Sequence, residues 1–221
     1  GEDYPWWKYV QRRPPTERDL ELLMLRLTLA SAGMYQSKTF LDAEAGNNRM
    51  QGVVVGAGSH GYDQVISLNI VHGRYFSPSE SAAGRPVAVI GHEVANQLFG
   101  RSEVVGQTLK VRGIRMEVIG VLAQEGESIV STGLDEFMLV PSAFAPRIYD
   151  ARADDNAQIA IKAQPGVDLA ALEDELVHQL RAVRRVRPGR EEAFSVNRME
   201  MLTSILDSIF ANLARGGWFI A

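Results

Sequence analysis

Cysteine is absent from the 221 residues. Its absence excludes disulfides, thiolate catalysis and cysteine-based zinc or iron–sulfur sites, and it leaves cytoplasm and periplasm equally open. No run of about 18 apolar residues occurs either, so no complete membrane-spanning helix is expected. Charge of one sign is also scarce: 23 Lys and Arg stand against 27 Asp and Glu, a net charge of −4. That balance gives no global reason to expect nucleic acid or anionic lipid as a partner. The four histidines are scattered, and His92-Glu93-Val94-Ala95-Asn96 lacks the second histidine of a zinc-protease helix. Gly1-Glu2-Asp3-Tyr4-Pro5 has neither a basic nor an apolar signal region, so no signal peptide is expected there.

What is present is ordinary globular composition, 46% hydrophobic and 23% charged, enough for a sizeable core. Residues 1–15 form an aromatic, basic, proline-punctuated lead-in. Thr16-Glu17-Arg18-Asp19 resembles a capping box, and Leu20, Leu23 and Leu27 predict a helix of about three turns ending near Leu29. Strands are expected at Met34–Leu41 and Gln51–Val55 around the turn-forming Ala45-Gly46-Asn47-Asn48, then at Val65–Val71, broken by His72-Gly73, and at Pro86–Ile90. His92–Phe99 reads as a short helix capped by Gly100. Thr108–Val111 and Ile114–Leu122 read as a hairpin about Arg112-Gly113, a weaker turn pair than Asn-Gly. Phe137–Val140 and Ile159–Ala163 supply further strands. Asp168–Val186 is the longest helix, with Leu169, Leu172, Leu176, Leu180 and Val183 on one stripe. In it Glu173, Asp174 and Glu175 precede Arg181, Arg184 and Arg185, which complements the helix dipole. A strand at Phe194–Val196 and a helix at Met199–Leu213 follow. Two α/β pieces thus flank a β-rich middle. The closing Gly216–Ala221 turns apolar, as at the start of a longer hydrophobic segment.

One stretch, Val53 to Gly61 (VVVGAGSHG), carries two patterns of chemistry. Gly56, Gly58 and Gly61 have the spacing of a dinucleotide-binding turn, and Ser59 sits almost in a nucleophile elbow. The first needs a long helix after the third glycine and a ribose-binding acid about twenty residues on. Tyr62–Ile70 is rich in β-formers, and Glu80 falls in an apparent loop after Ser77-Pro78-Ser79. The second needs a sheet built before Ser59 and a base from His72, His92 or His178, and only 58 residues precede it. Glycines at a strand exit are the expected reading. Asp154-Asp155 and Glu191-Glu192 are expected to be solvated, and Arg181–Arg190 reads first as a dipole-complementing helix end. Trp6-Trp7 anchors the lead-in or marks a membrane-interface belt. No catalytic, cofactor-binding or metal-binding residue is assigned.

The ordered series Gly73-Arg74-Tyr75-Phe76, Arg85–Gly91, Gln97-Leu98-Phe99-Gly100, Val104–Leu109 and Val118-Ile119-Gly120-Val121 resembles the MacB-type periplasmic core domain of ABC-transporter permeases, a superfamily that extends to lipoprotein-sorting and FtsX-like members. The likeness covers roughly residues 30–200. It implies an α+β fold: a discontinuous porter-like α/β lobe of βαβ-type units, residues 1–73 and 151–205, with a β-rich sabre-like lobe, residues 74–150, inserted in it. Residues 206–221 become a stalk leading into a truncated transmembrane helix. The function implied is extracytoplasmic coupling of cytoplasmic ATP hydrolysis to export or to lipoprotein or peptide handling, at the periplasmic face of the bacterial inner membrane. The implied partners are an ABC ATPase subunit, a second permease copy, and a periplasmic adaptor, lipoprotein or peptide. The chain has no P-loop. An esterase using Ser59, or a passive receptor domain, are the alternatives.

Overall fold

The computed structural model of the chain describes residues 14–124, 133–150 and 157–184. The lead-in before Pro14, the strand expected at Phe194–Val196, the helix expected at Met199–Leu213 and the pairs Asp154-Asp155 and Glu191-Glu192 lie outside them. Among the described residues no helix is long and apolar enough to cross a membrane.

The chain begins with helix α1 (Glu17–Met24), which has a full capping box: Thr16 Oγ1 accepts the Asp19 N–H at 3.2 Å, and Thr16 N–H donates to Asp19 Oδ2 at 2.9 Å. It is a turn shorter than its leucine spacing suggests, although Leu27 beyond it is still buried. Strands β1 (Ala30–Ala45) and β2 (Asn48–Gly58) then form a long antiparallel hairpin with a register shift between Leu41 and Ala43. The expected strands were the cores of these longer ones.

From β2 the chain makes one helical turn, α2 (Tyr62–Val65), and strand β3 (Ile70–Gly73). The expected strand over Val65–Val71 is therefore displaced, and His72-Gly73 is its end rather than its breaker. The apolar run before it packs Val65, Ile66 and Leu68 over the outside of the sheet instead of pairing. Glu80 is not in a loop. It is the third residue of helix α3 (Pro78–Ala83), where it closes a capping box with Ser77. Strand β4 (Val87–Ile90), helix α4 (His92–Phe99), strands β5 (Thr108–Val111), β6 (Ile114–Leu122) and β7 (Phe137–Pro141), strand β8 (Gln158–Ala163) and helix α5 (Leu169–Val183) complete the order.

All eight strands belong to one sheet. Six of them close on themselves, since the pairing runs β1–β2–β7–β4–β6–β5 and back to β1. Such a barrel removes its own edges. Alternation then assigns faces. Leu41, Ala43, Val53, Val55, Ile90, Leu109, Val111, Met116, Val118, Met138 and Val140 share one cluster with Val94, Ala95 and Leu98 of α4. Their strand neighbours Val87, Val89, Ile119, Phe137 and Leu139 form a second cluster with Phe76. The first half of β1 leaves the barrel and pairs with β8. Strands from all three expected segments thus share one sheet, and the lobe boundaries do not coincide with separate sheets.

The motif glycines act by space. At the Gly73–Gly120 pair of β3 and β6, a Cβ on Gly73 would collide with the Ile119 carbonyl and one on Gly120 would lie 2.6 Å from the Arg74 carbonyl oxygen. The β5–β6 turn is different: Arg112 and Gly113 have φ of 49° and 79°, the pattern of a type I′ turn. Arg112 is the only described residue other than glycine at positive φ. Replacing it with Asn, which tolerates that conformation, is expected to raise the thermal midpoint by about 2 °C, corresponding to roughly 0.5–1 kcal/mol. Thermal denaturation of the two proteins checks this.

Candidate functional site

The polar chemistry of the domain concentrates along a seam between the helical pair α1 and α5 and the sheet. The apolar side of the seam is made by Leu23, Leu27 and Leu180, with Leu176, Val183, Ile159 and Ile161 packed around them. Leucines at helical spacing on α1 and α5 place them there. Three carboxylates then tie the seam together.

Asp19 is the first. The carboxylate that caps α1 also meets Arg184 at the end of α5, Oδ2 to Nη2 3.2 Å, with the two side chains only 15% and 11% exposed. A covered pair of this kind resists salt and geometry loss better than a surface pair. Glu175 is the second. It accepts the Thr28 hydroxyl at 2.6 Å, the Thr28 N–H at 2.8 Å and the Leu29 N–H at 3.0 Å, so α5 grips the connection from α1 into β1. The Thr28 hydroxyl and these amides hold its carboxyl below the usual range. Gln164 reinforces the same connection by donating to the Thr28 carbonyl at 3.0 Å.

Glu17 is the third, and it faces the barrel. Its Oε2 accepts the Ser142 hydroxyl at 2.7 Å, while Ser142 N–H donates to the Gly58 carbonyl at 3.0 Å. Burial pushes the Glu17 carboxyl up; Ser142 opposes the shift and Glu21 adds to it. Burial also raises the phenol of Tyr62, to about 12, and that of Tyr75. Both aromatic side chains close over the strand exit, and Tyr75 donates to the Ser59 carbonyl at 3.1 Å.

Ser59 itself is 4% exposed. Its hydroxyl oxygen accepts the Tyr35 N–H at 3.0 Å and its own N–H donates to the Tyr35 carbonyl at 3.0 Å, which extends the β1–β2 ladder. His72 lies on β3, His92 opens α4 and His178 lies on α5; none is hydrogen-bonded to Ser59 among the described residues. The nucleophile reading fails on this geometry. The dinucleotide reading fails too, because α2 has four residues and Glu80 is held by Arg74, 2.7 and 2.9 Å in a bidentate pair. Arg74 holds the Glu80 carboxyl down at about 2. Among the described residues no three His, Asp or Glu side chains are grouped to take a metal ion.

Gly56, Gly58 and Gly61 are not there for backbone freedom, since none has positive φ. A Cβ on Gly56 would enter the Phe137 ring, and one on Gly61 would meet the Gly33 carbonyl, whereas Gly58 has 3.0 Å to Leu139. The site residues Glu17, Ser142, Glu175 and Arg184 were not visible as a group in the sequence. Glu175 and Arg184 looked like complements of their own helix, and the only signal was Asp19, whose capping role was legible.

The site is thus a helical pair strapped to strand β1 of the barrel by carboxylate ties. The family model of the MacB-like periplasmic core domain matches residues 4–179, and the chain belongs to that family. It is 33% identical over 115 residues, 51% of its length, to the pyoverdine export ATP-binding/permease protein PvdT of Pseudomonas entomophila. To the macrolide export ATP-binding/permease protein MacB of Bdellovibrio bacteriovorus it is 29% identical over 155 residues, 69% of its length. The matched segment spans 18% and 23% of those two proteins. In fold the chain is similar to the periplasmic region of MacB from Actinobacillus actinomycetemcomitans, with TM-score 0.72, 13% identity, and coverage of 96% of this chain and 90% of that one. It is also similar to the extracellular domain of the noncanonic ABC-type transporter YknZ from Gram-positive bacteria, with TM-score 0.67, 20% identity, and coverage of 86% and 92%.

Gly56→Ala is expected to lower stability by about 1–3 kcal/mol, and Phe137→Leu in the same chain to recover part of it. Denaturant midpoints of the single and double variants test the pairing; equal, additive losses would refute it. Glu17 gives a pH test. A carboxyl raised above its unfolded value of 4.5 contributes stability that is present below that value and lost as pH rises through the folded value. Glu17→Gln, which can still accept from Ser142, is therefore expected to match the parent near pH 4 and to melt higher at pH 7. A variant that melts lower at pH 7 would show that the tie outweighs the burial.

Proposed function

We propose that this domain is the extracytoplasmic part of an ABC permease and transmits ATP-driven movement to a partner outside the cytoplasmic membrane. The family and its export relatives support the setting. The observation that carries the mechanical reading is the convergence of Asp19, near the start of the described chain, and Arg184, at its end, on one covered ion pair. Force entering through either end reaches α1 and α5 together. Glu175 passes it to the start of β1, and Glu17 passes it to the end of β7 through Ser142.

In this reading residues 1–73 with 151–205 act as the porter-like lobe and 74–150 as the sabre-like lobe, sharing a sheet so that displacement of β1 is felt by both. Residues 206–221 form the stalk into the second membrane helix. ATP is hydrolysed by a separate subunit or domain, since this chain has no P-loop. Two permease copies face one another, and a periplasmic adaptor, lipoprotein or peptide receives the movement.

The test uses the full-length permease with its ATPase. Asp19→Asn with Glu175→Gln is expected to leave assembly and ATP hydrolysis near parental levels while transport falls about tenfold, a loss of coupling. Parallel loss of hydrolysis and transport would mean the seam is only structural. Unchanged transport would overturn the proposal.

A further inference from the structure

The pairing register lines up one row of charges across four strands at the lower end of the barrel, with Lys110 half-buried and the others exposed. Arg49 on β2 stands opposite Glu44 on β1, Glu44 opposite Lys110 on β5, and Lys110 opposite Arg115 on β6. Partners opposed in register present their side chains on the same face. The two carboxylates at one end of the row are already used: Asp42 is 2.6 Å and Glu44 3.6 Å from Arg49. One row higher, Glu117 contributes to the field at Arg74. Lys110 and Arg115 are left facing each other, and among the described residues neither forms an ion pair. Like charges directly opposed on neighbouring strands destabilise a sheet, and Glu44 opposite Lys110 offsets this only in part.

The two cations line a cleft of about 230 Å³ with Glu44, Ala45, Gly46 and Thr108. We infer that this cleft is a docking point for a carboxylate side chain on an acidic segment of a protein partner. Arg115 supplies a planar two-pronged donor that matches a carboxylate, Lys110 a second charge, and the Thr108 hydroxyl a neutral donor. Glu44, opposite Lys110 in register, selects against a doubly charged phosphate while tolerating a single negative charge that enters beside Arg115. The cleft admits one or two side chains, not a folded element. Pairing an acidic residue here relieves the Lys110–Arg115 repulsion at the moment of contact, and long-range attraction speeds the encounter. The inference stands apart from the coupling reading and survives its failure, because it concerns the chemistry of a partner and not the transmission of force.

The probe is a capped peptide of alternating glutamate and glycine, titrated into the isotope-labelled 221-residue chain. Amide shifts are expected at Thr108, Lys110 and Arg115, with binding weakened about tenfold in Arg115→Ala and less in Lys110→Ala, the loss of charge-assisted hydrogen bonds. Arg115→Lys is expected to recover only part, and raising salt to weaken all of it. The Arg115→Ala chain should keep the parental thermal midpoint or exceed it, since one of two repelling charges is removed. Inorganic phosphate, and vesicles with anionic headgroups, are run beside the peptide. Tighter binding of either than of the peptide overturns the inference in favour of a phosphate or a membrane surface. Shifts that map elsewhere, or peptide binding unaffected by Arg115→Ala, overturn it outright.

Discussion

A single strand has to serve two cores. The sixteen residues of β1 pair with β2 along one edge, while along the other they pair first with β8 and then with β5. The register shift between Leu41 and Ala43 lies close to where the second edge joins the barrel. A shift of this kind turns a strand and increases its local twist. It lets the early half lie flat under α1 and α5 and the later half curl into the closed ring. The barrel, the helical seam and the charged row at the lower end all take their positions from this strand.

The two cores differ in what they tolerate. Inside the ring, alternate aliphatics from six strands pack with α4, and the Tyr149 hydroxyl meets Ser37 Oγ at 2.8 Å and donates to the Ser37 carbonyl at 3.2 Å. The seam is thinner, made by a few leucines and isoleucines, and its geometry is set by charged and hydroxyl groups that must each find a partner. Such a joint is stiff in direction but modest in strength.

The parts legible in the sequence were those whose cause is local. The β5–β6 hairpin, α4 with Gly100, and the Thr16–Asp19 cap followed from alternation, from helical spacing and from turn chemistry within a few residues. Helix α3 was missed although Ser77 and Glu80 have capping-box spacing, because six residues with a proline and two serines look like a loop by composition. The run after Tyr62 looked like a strand because apolar β-branched residues also suit a segment wrapped over a sheet. The seam was illegible for a simpler reason: Asp19 and Arg184 are 165 positions apart, and Glu17 and Ser142 are 125 apart. No local pattern distinguishes a carboxylate that complements its own helix from one that binds another element.

The pairing of β1 with β8 carries a consequence for biogenesis. Gln36 meets Gln158, so one edge of the longest strand waits for more than half of the chain before it is covered. Non-local pairings of this kind are slow to form, and an uncovered strand edge invites other strands. In chain order the β1–β2 hairpin is complete early and β8 late. The order of emergence therefore sets a period in which the early half of β1 is an open template for other strands.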